Sequence, residues 1–376
     1  MVFLIFSVLI IMMCGINLYL SHRVWQFLHY IFPQFSIYTS VAFFSIMTII
    51  MVLSITNPFN GYLRKTISFI GSYWMGIFVY LLLFFLISDI LIFIIRMFNF
   101  QMPKVETLRY ISGICVIALT AIVSLYGFFH ANKLYTVEYD VKIHPNNGSD
   151  MKIILISDLH LGAVGSEGKL ENIVDKINEQ NPDLVCISGD IFNTDFKEIS
   201  NPEKAQKILC KIESKYGTYA CLGNHDSGKT FELMTKFLDK ANIKLLKDEY
   251  AIIDNRLILA GRLDSSPING AGDLKRGTPD DVLEGADKNL PIVVLDHNPA
   301  HVEEYTDDVD LVLSGHTHKG QIFPASFITN AMFPVDYGYY CTNKNVNVIV
   351  TSGVNTWGLP MRVGTNCEIV KINLTY

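Results

Sequence analysis

The sequence predicts four membrane-spanning α-helices followed by an α/β domain, and two observations lead to this fold class. Residues 1–130 hold only six of the 30 basic and two of the 36 acidic side chains of the chain. Beyond residue 130, short apolar runs alternate with segments in which apolar residues recur at helical spacing, and this alternation indicates a sheet with helices on its faces. We therefore divide the chain into a membrane region, residues 1–130, and a second domain, residues 131–376.

Four stretches of the membrane region are apolar enough to cross a bilayer, which takes about 20 residues. They run approximately over residues 2–20, 35–55, 69–95 and 110–130. Helices buried in a soluble core would carry polar faces, and these stretches have almost none, so we expect a multi-pass protein of the cell membrane with the lipid bilayer as a partner. Asp89 lies near the end of the third stretch, where we expect interfacial solvation of its carboxylate.

The side of the membrane on which the second domain lies stays open. Four basic residues lie near the span ends on each side, so the positive-inside rule does not decide. Arg23 follows a first span that has no basic residue before it, which favours an extracytoplasmic domain. Five scattered cysteines of the second domain, without a CxxC spacing, are typical of reduced core thiols and favour the opposite side.

The second domain is acidic, because it holds the other 34 acidic and 24 basic side chains. A nucleic-acid partner would require a basic face, so none is expected. Alternation of apolar and polar residues predicts a first strand over residues 133–142. Three helices are predicted over residues 170–177, from the N-cap and first-turn pair Asn201-Pro202, and around residues 231–238.

Five polar motifs each follow a short apolar run that predicts a buried strand. They are Asp158-Leu159-His160, Gly189-Asp190, Gly223-Asn224-His225-Asp226, Asp296-His297 and Gly315-His316-Thr317-His318. Open α/β sheets place their ligands at the carboxyl ends of strands, so these side chains are expected to converge. Oxygen and imidazole ligands suit divalent cations. We therefore predict a two-metal phosphoester site, in which cations about 4 Å apart activate a water and hold the phosphoryl oxygens in line.

The ordered motifs D-x-H, G-D, G-N-H-D, an isolated His and G-H-T-H resemble those of the calcineurin-like metallophosphoesterases. The match runs from residue 158 to residue 318. Ser352-Gly353 and the 357–362 stretch are similar to the tail of the membrane-associated bacterial branch of that family. The resemblance implies a two-sheet β-sandwich flanked by helices, with two divalent metal ions at one edge. Mn²⁺ is the expected metal, with Fe or Zn as alternatives.

Carried over by position, the resemblance implies seven ligands for the two metals. The ligands of the first metal are Asp158, His160, Asp190 and His318, and those of the second are Asp190, Asn224, His297 and His316. Asp190 would bridge the metals. His225 would be the acid that protonates the leaving oxygen or stabilises the transition state. Asp226 would orient His225, or would be a simple turn residue.

Three residues outside this set have open roles. Asp264 is expected to be a loop carboxylate and not a ligand. Arg362 either contacts the substrate phosphate, for which a guanidinium is well suited, or is structural. Lys319 stands where the membrane-associated branch usually has Gly, and it would add a cation near the phosphate.

The resemblance implies hydrolysis of a phosphate ester by direct attack of a hydroxide that bridges the metals. No serine or cysteine in the motifs is placed to act as a covalent nucleophile. Monoester and diester substrates stay open, and the membrane region makes a lipid or lipid-linked phosphoester a candidate. The alternatives are a non-catalytic membrane adaptor, which would be marked by a lost ligand or a lost His225, and a nuclease-type phosphodiesterase, which the acidic domain and the membrane region disfavour.

Overall fold

The structure is a computed structural model of the chain. It describes residues 2–56, 58–59, 61–98, 103–143, 150–268 and 275–376, without the side chains of residues 2–6. These residues fall into two compact units. The first comprises Met1–Phe128 with Gly358–Pro360, and the second comprises Phe129–Trp357 with Met361–Tyr376.

The N-terminal part of the chain consists of four long helices. They are α1 (Val2–Ile31), α2 (Ile37–Thr56), α3 (Gly61–Met97) and α4 (Val105–His130). Each contains a stretch that is long and apolar enough to cross a membrane. The shortest, α2, has 20 residues, and at 1.5 Å per residue such a helix spans the hydrocarbon core of a bilayer, about 30 Å. The predicted four apolar helices are confirmed.

Three of the four helices, α1, α3 and α4, are longer than the predicted spans. Helix α1 continues beyond residue 20 to Ile31, so Arg23, which the sequence placed after the first span, lies within the helix. A helix can extend past its apolar stretch because its backbone hydrogen bonds are satisfied within the helix. Arg23 is buried within the helices. Its guanidinium pairs with Asp89 of α3 at 3.0 Å and donates to Ser112 of α4 at 3.2 Å. Asp89 also accepts a 2.7 Å hydrogen bond from Tyr19, so protein groups stabilise this carboxylate in addition to the expected solvent.

The second unit contains two six-stranded sheets. The first sheet has the strand order β1-β12-β2-β3-β4-β5. Its strands are β1 (Leu134–Lys142), β2 (Asp150–Ile156), β3 (Leu184–Ser188), β4 (Thr218–Cys221), β5 (Ile243–Leu245) and β12 (Cys367–Thr375). Strands β2 to β5 run parallel, and β12 pairs antiparallel with β2 and parallel with β1.

The second sheet has the order β10-β11-β9-β8-β7-β6. Its strands are β6 (Glu249–Ile253), β7 (Leu257–Gly261), β8 (Ile292–Leu295), β9 (Leu311–Ser314), β10 (Gly338–Cys341) and β11 (Asn347–Val350). The four inner strands run parallel, and the two edge strands, β6 and β10, are antiparallel to their neighbours. Each sheet thus has a set of parallel strands whose carboxyl ends share one edge.

The helices of this unit are α5 (Leu170–Asn178), α6 (Pro202–Leu209), α7 (Phe231–Lys240), α8 (Pro279–Val282) and α9 (Ser326–Met332). The first three confirm the predicted amphipathic helices. As expected, Asn201 is the N-cap of α6, and its side chain accepts a hydrogen bond from the Lys204 backbone N–H at 2.9 Å.

In the first sheet, both faces of strand β2 are buried. Ile153 and Leu155 of β2 pack with residues of the second sheet, such as Leu295, in one apolar cluster between the sheets. Their neighbour Ile154 points the other way and packs with residues of the helices, such as Ile173 of α5. This alternation explains why β2 is apolar throughout, since a strand covered on both faces needs no polar side. The predicted two-sheet sandwich flanked by helices is confirmed.

Candidate metal centre

All five polar motifs lie just beyond the carboxyl ends of parallel strands. Those in the first sheet follow β2, β3 and β4, and those in the second sheet follow β8 and β9. The two sheets are joined at this edge, because the Ser188 hydroxyl at the end of β3 donates to the Leu313 carbonyl of β9 at 2.7 Å. The Ser157 hydroxyl donates to the Ser188 carbonyl at 2.6 Å. The motifs of both sheets are therefore held around one small volume.

The backbone is strained where the predicted ligands lie. Asp158, His160, Asp190, His316 and His318 all have positive φ, between 44° and 70°. This left-handed conformation is unfavourable for residues with a Cβ and recurs at functional sites, where the surrounding structure maintains it. Because five of the predicted ligands share this left-handed conformation, the fold fixes the directions of their side chains.

One cluster contains Asp158, His160 and His318, all buried. The two Nε2 atoms of the histidines lie 3.2 Å apart. Asp158 Oδ1 lies 3.3 Å from His318 Nε2 and 3.8 Å from His160 Nε2. It accepts no hydrogen bond from any residue that the structure describes. A buried carboxylate oxygen without a donor is costly, so this donor set fits a divalent cation.

A second cluster contains Asp190, His297 and His316. His297 Nδ1 lies 2.7 Å from the Ser188 carbonyl, which can only accept, so the proton of a neutral His297 is on Nδ1. Its Nε2 is then left with a lone pair, as a metal ligand requires, and lies 3.2 Å from Asp190 Oδ2. Asn224 joins this cluster, because its Oδ1 lies 2.9 Å from His316 Nδ1.

Asp190 lies between the two clusters. Its Oδ2 is 3.2 Å from His297 Nε2 in the second cluster and 3.7 Å from His160 Nε2 in the first. Its Oδ1 accepts the backbone N–H of His225 at 2.9 Å, which fixes the orientation of the carboxylate. One carboxylate thus faces both candidate cation positions.

Burial and charge together set the protonation of these groups. Burial raises the pKa of Asp158 to about 6 and lowers that of His160 to about 3 and that of His316 to about 4. Burial also acts on Asp190 and His297, but their mutual attraction outweighs it, so the pKa of Asp190 is lowered and that of His297 is raised. The cluster histidines His160 and His316 are therefore neutral at physiological pH and able to bind a cation.

His225 lies beside the first cluster and is buried. Its ring centroid is 5.1 Å from that of His160 and 5.8 Å from that of Trp357. Its Nδ1 is 2.6 Å from the Thr194 hydroxyl. Burial lowers the pKa of this imidazole. The group on which the orientation of His225 depends is thus Thr194, which the sequence did not indicate.

Asp226, for which the sequence left open an orienting role toward His225 or a turn role, makes its hydrogen bonds to the backbone. The Asp226 carboxylate accepts three backbone N–H groups, those of Gly223, Ile191 and Phe192, at 2.9, 3.1 and 2.8 Å. Burial raises its pKa to about 7. Asp226 therefore connects the loop after β3 to the turn after β4 and has a positioning role.

Two arginines form hydrogen bonds with residues of the motifs. Arg362 is fully buried and donates to the His318 carbonyl at 2.9 Å and the Ser352 carbonyl at 2.6 Å, so the structural role left open by the sequence is the one observed. Arg276 forms a bidentate pair with Asp296, the residue before His297, at 2.9 and 2.7 Å. The sequence did not identify Arg276, since a single arginine in a loop has no distinctive signature.

The other two residues whose roles the sequence left open are Asp264 and Lys319. Asp264 is buried in a loop, and its Oδ1 accepts the Ser266 backbone N–H at 2.7 Å, in agreement with a loop carboxylate. It does not belong to any metal-binding group of the described residues. Lys319 Nζ lies 3.9 Å from the centre of the Tyr337 ring.

Comparisons with known proteins agree with this geometry. Residues 151–320 match the family model described as calcineurin-like phosphoesterase. A Danio rerio transmembrane protein with metallophosphoesterase domain is 31% identical over 282 residues, which cover 69% of this chain and 62% of that protein. An uncharacterised metallophosphoesterase of Campylobacter jejuni is 33% identical over 277 residues, covering 71% and 70% of the two chains. Another, of Aquifex aeolicus, is 30% identical over 259 residues, covering 69% and 97%.

Proposed function

Because the chain belongs to the calcineurin-like metallophosphoesterase family, we propose that it is a membrane-anchored enzyme that hydrolyses a phosphate ester with two divalent cations. In this proposal residues 1–130 are the membrane region and residues 131–376 the catalytic domain. The observation that carries it is the position of Asp190, whose Oδ2 lies 3.2 Å from His297 Nε2 and 3.7 Å from His160 Nε2. A carboxylate that faces two histidine clusters suits a two-metal centre better than a single-ion site.

The proposed ligands are the seven residues brought together at the strand ends. Asp158, His160, Asp190 and His318 would hold the first metal, and Asp190, Asn224, His297 and His316 the second. This mixture of carboxylate, amide and imidazole donors suits Mn²⁺, which we propose as the metal, with Fe or Zn as alternatives. When bound, two such cations supply an activated water and neutralise the charge of the phosphoryl oxygens.

His225 is proposed as the residue that acts on the ester oxygen. Its low pKa favours a neutral ring. If the Thr194 hydroxyl donates to Nδ1, the ring proton is on Nε2, on the other side of the imidazole. In this neutral form the Nε2–H can donate a hydrogen bond to a phosphoryl oxygen in the transition state. Protonation of the leaving oxygen requires the doubly protonated ring, in which Nδ1–H would donate to the Thr194 hydroxyl. Thr194 would hold the neutral ring in the Nε2–H tautomer.

A lipid or lipid-linked phosphoester is the proposed substrate, either a monoester or a diester. Four helices able to cross a membrane support this, since they would keep the enzyme at a bilayer. By holding the enzyme at the bilayer, the four helices would raise the local concentration of lipid-borne substrate at the catalytic domain. The Danio rerio relative is likewise described as a transmembrane protein.

A substrate panel tests the function. The full chain, solubilised in detergent and loaded with Mn²⁺, should hydrolyse aryl monoesters, aryl diesters or lipid phosphoesters. Asp190→Ala should abolish this hydrolysis, whereas Asp175→Ala, a control at an exposed position of α5, should not. A protein that binds two metal ions and hydrolyses none of these esters would refute the enzymatic proposal and favour the adaptor alternative.

A further inference from the structure

The segment that follows the last metal-cluster histidine has an unusual composition. Residues 320–335, which we call the apolar segment, contain no charged side chain, although Lys319 and Asp336 flank them directly. The domain around them is rich in charge. Helix α9 lies within the segment and spans Ser326–Met332.

Large apolar side chains of this segment are exposed. Phe323 is 48% exposed, Phe327 69%, Ile328 61% and Met332 68%. The rings of Phe323 and Phe327 lie 5.6 Å apart, so they form one surface. Single exposed apolar residues are common, but a group of four within ten positions marks a binding surface.

The end of the apolar segment is fixed to the metal cluster. The Thr317 hydroxyl, between the two ligand histidines, donates to the Asp336 carbonyl at 2.6 Å. The Asp336 carboxylate in turn accepts the Thr329 hydroxyl of α9 at 3.0 Å. The Phe333 ring lies 5.7 Å from that of His316. The apolar segment therefore places one aromatic ring, that of the half-buried Phe333, against a residue of the second cluster.

Trp357 forms a second apolar wall at the site. Its side chain is 52% exposed, and its ring lies 5.8 Å from that of His225. Its backbone is held by the Gln321 side chain, which accepts the Trp357 N–H at 2.8 Å and donates to the Trp357 carbonyl at 2.9 Å. Trp357 is thus joined to the beginning of the apolar segment and lies next to the proposed acid.

We propose that Trp357 and the apolar segment bind the hydrocarbon chain of the substrate, which makes them specificity-determining for an ester with a long apolar group. This inference rests on the proposed phosphoesterase function. The rings of Trp357 and Phe333 lie 5.8 and 5.7 Å from those of His225 and His316, so an ester group bound at the clusters would have an apolar side chain beside it. The exposed rings of Phe323 and Phe327 lie in the same apolar segment. An apolar surface that begins at the reacting centre suits a substrate chain better than a partner protein.

The test is the dependence of hydrolysis on chain length in the full chain. Methyl, butyl and octyl phosphates, with the corresponding p-nitrophenyl diesters, are compared below their micelle concentrations, with the protein held in amphipol. Each buried methylene contributes up to about fourfold in affinity, so kcat/KM for the octyl ester should exceed that for the methyl ester by roughly tenfold or more. The double variant Phe327→Ser/Ile328→Ser should lower this ratio and leave only the part that Trp357 and Phe333 contribute. Leu233→Ser, at an exposed apolar position of α7, is the matched control and should keep the wild-type ratio.

Fluorescence supplies a readout that does not depend on turnover. The chain has three tryptophans, and in a Trp25→Phe/Trp74→Phe background only Trp357 remains. Octylphosphonate should shift the emission of Trp357 to the blue at concentrations where methylphosphonate does not. Hydrolysis of methyl phosphate without any chain-length dependence would overturn the inference and leave the phosphoesterase function intact. Quenching of Trp357 by brominated lipids in vesicles without substrate would assign the surface to the bilayer and equally overturn it.

Discussion

Replacing Asp226 distinguishes its observed contacts, in which it accepts backbone N–H groups, from the orienting of His225 that the sequence left open. Its Oδ2 accepts two backbone N–H groups, from Gly223 and Ile191, and its Oδ1 accepts a third, from Phe192. Asp226→Asn keeps the shape of the side chain and one accepting oxygen. The amide can satisfy the first two donors, while its own NH₂ faces the Phe192 N–H. One buried donor is then unsatisfied.

The expected cost follows from that count. A buried donor without an acceptor costs about 1–3 kcal/mol, so Asp226→Asn should destabilise the protein by that amount and Asp226→Ala, which leaves three donors unsatisfied, by about 3–9 kcal/mol. For a domain of this size, 1 kcal/mol corresponds to roughly 2–4 °C in Tm. Asp226→Asn should thus lower the Tm by a few degrees, and Asp226→Ala should approach the whole stability of a typical domain.

The assay pairs Asp226→Asn with Thr194→Val in the detergent-solubilised, Mn²⁺-loaded protein. Thermal unfolding gives the Tm, elemental analysis gives the metal content, and turnover is measured on two esters that differ in the leaving group. Thr194→Val removes the hydroxyl that lies 2.6 Å from His225 Nδ1 but keeps the branched shape, so it should slow turnover with little change in Tm. Thr194→Ser should restore the rate. If Asp226→Asn leaves the Tm unchanged and slows turnover as a His225 variant does, Asp226 orients His225 and our structural interpretation is wrong.

Three further predictions concern the ligands, the acid and the membrane region. Asp190→Ala should remove activity and at least one metal per chain, because this carboxylate faces both clusters; two metals with normal turnover would contradict its bridging role. His225→Ala should keep both metals and slow turnover by about 10²-fold, less for p-nitrophenolate than for an alkoxide leaving group, since p-nitrophenolate needs no proton. Equal losses for the two leaving groups would indicate a contact with a phosphoryl oxygen instead. A chain that starts at Lys133 should keep its activity on small aryl esters and lose much of its rate on substrate in vesicles. If that chain folds and binds metal but hydrolyses no small ester, the membrane region is part of the active site.

Short apolar runs in the sequence were enough to predict where the central strands end and that the polar motifs lie at those ends. Each motif follows an apolar run that is buried on both faces of its strand, as Ile153–Ile156 of β2 shows. In a parallel sheet the end of such a run is also the place where ligands gather, so the strand and the site are predicted by the same few residues. The helix ends in the membrane region were less predictable, because helix hydrogen bonding continues past the apolar stretch and through Arg23.

The supporting contacts could not be predicted, because each joins residues that are distant in the sequence. Thr194 is 31 positions from His225, and Arg276 is 20 positions from Asp296. Arg362 is 44 positions from His318. Threonine and arginine are common in loops, and only burial showed that Arg362 is structural. The hydrogen bonds of Asp226 could not be predicted for a related reason, since their donors are backbone N–H groups, which leave no trace in the sequence.

Three of the five polar motifs are strong sequence signals because each carries a glycine that the packing of the site requires. A Cβ at Gly223 would collide with the Asp190 carboxylate, and one at Gly189 would lie 2.7 Å from the His297 ring. Each of these glycines therefore allows ligands from other strands to approach the loop in which it stands. Each of these glycines directly precedes a predicted ligand in the chain. The lack of space for a Cβ in the folded site therefore appears in the sequence as a short motif. The supporting groups Thr194, Arg276 and Arg362 contact residues that are distant in the sequence and lie in no such motif. The predicted ligands can therefore be recognised in the sequence, whereas the residues that support them cannot.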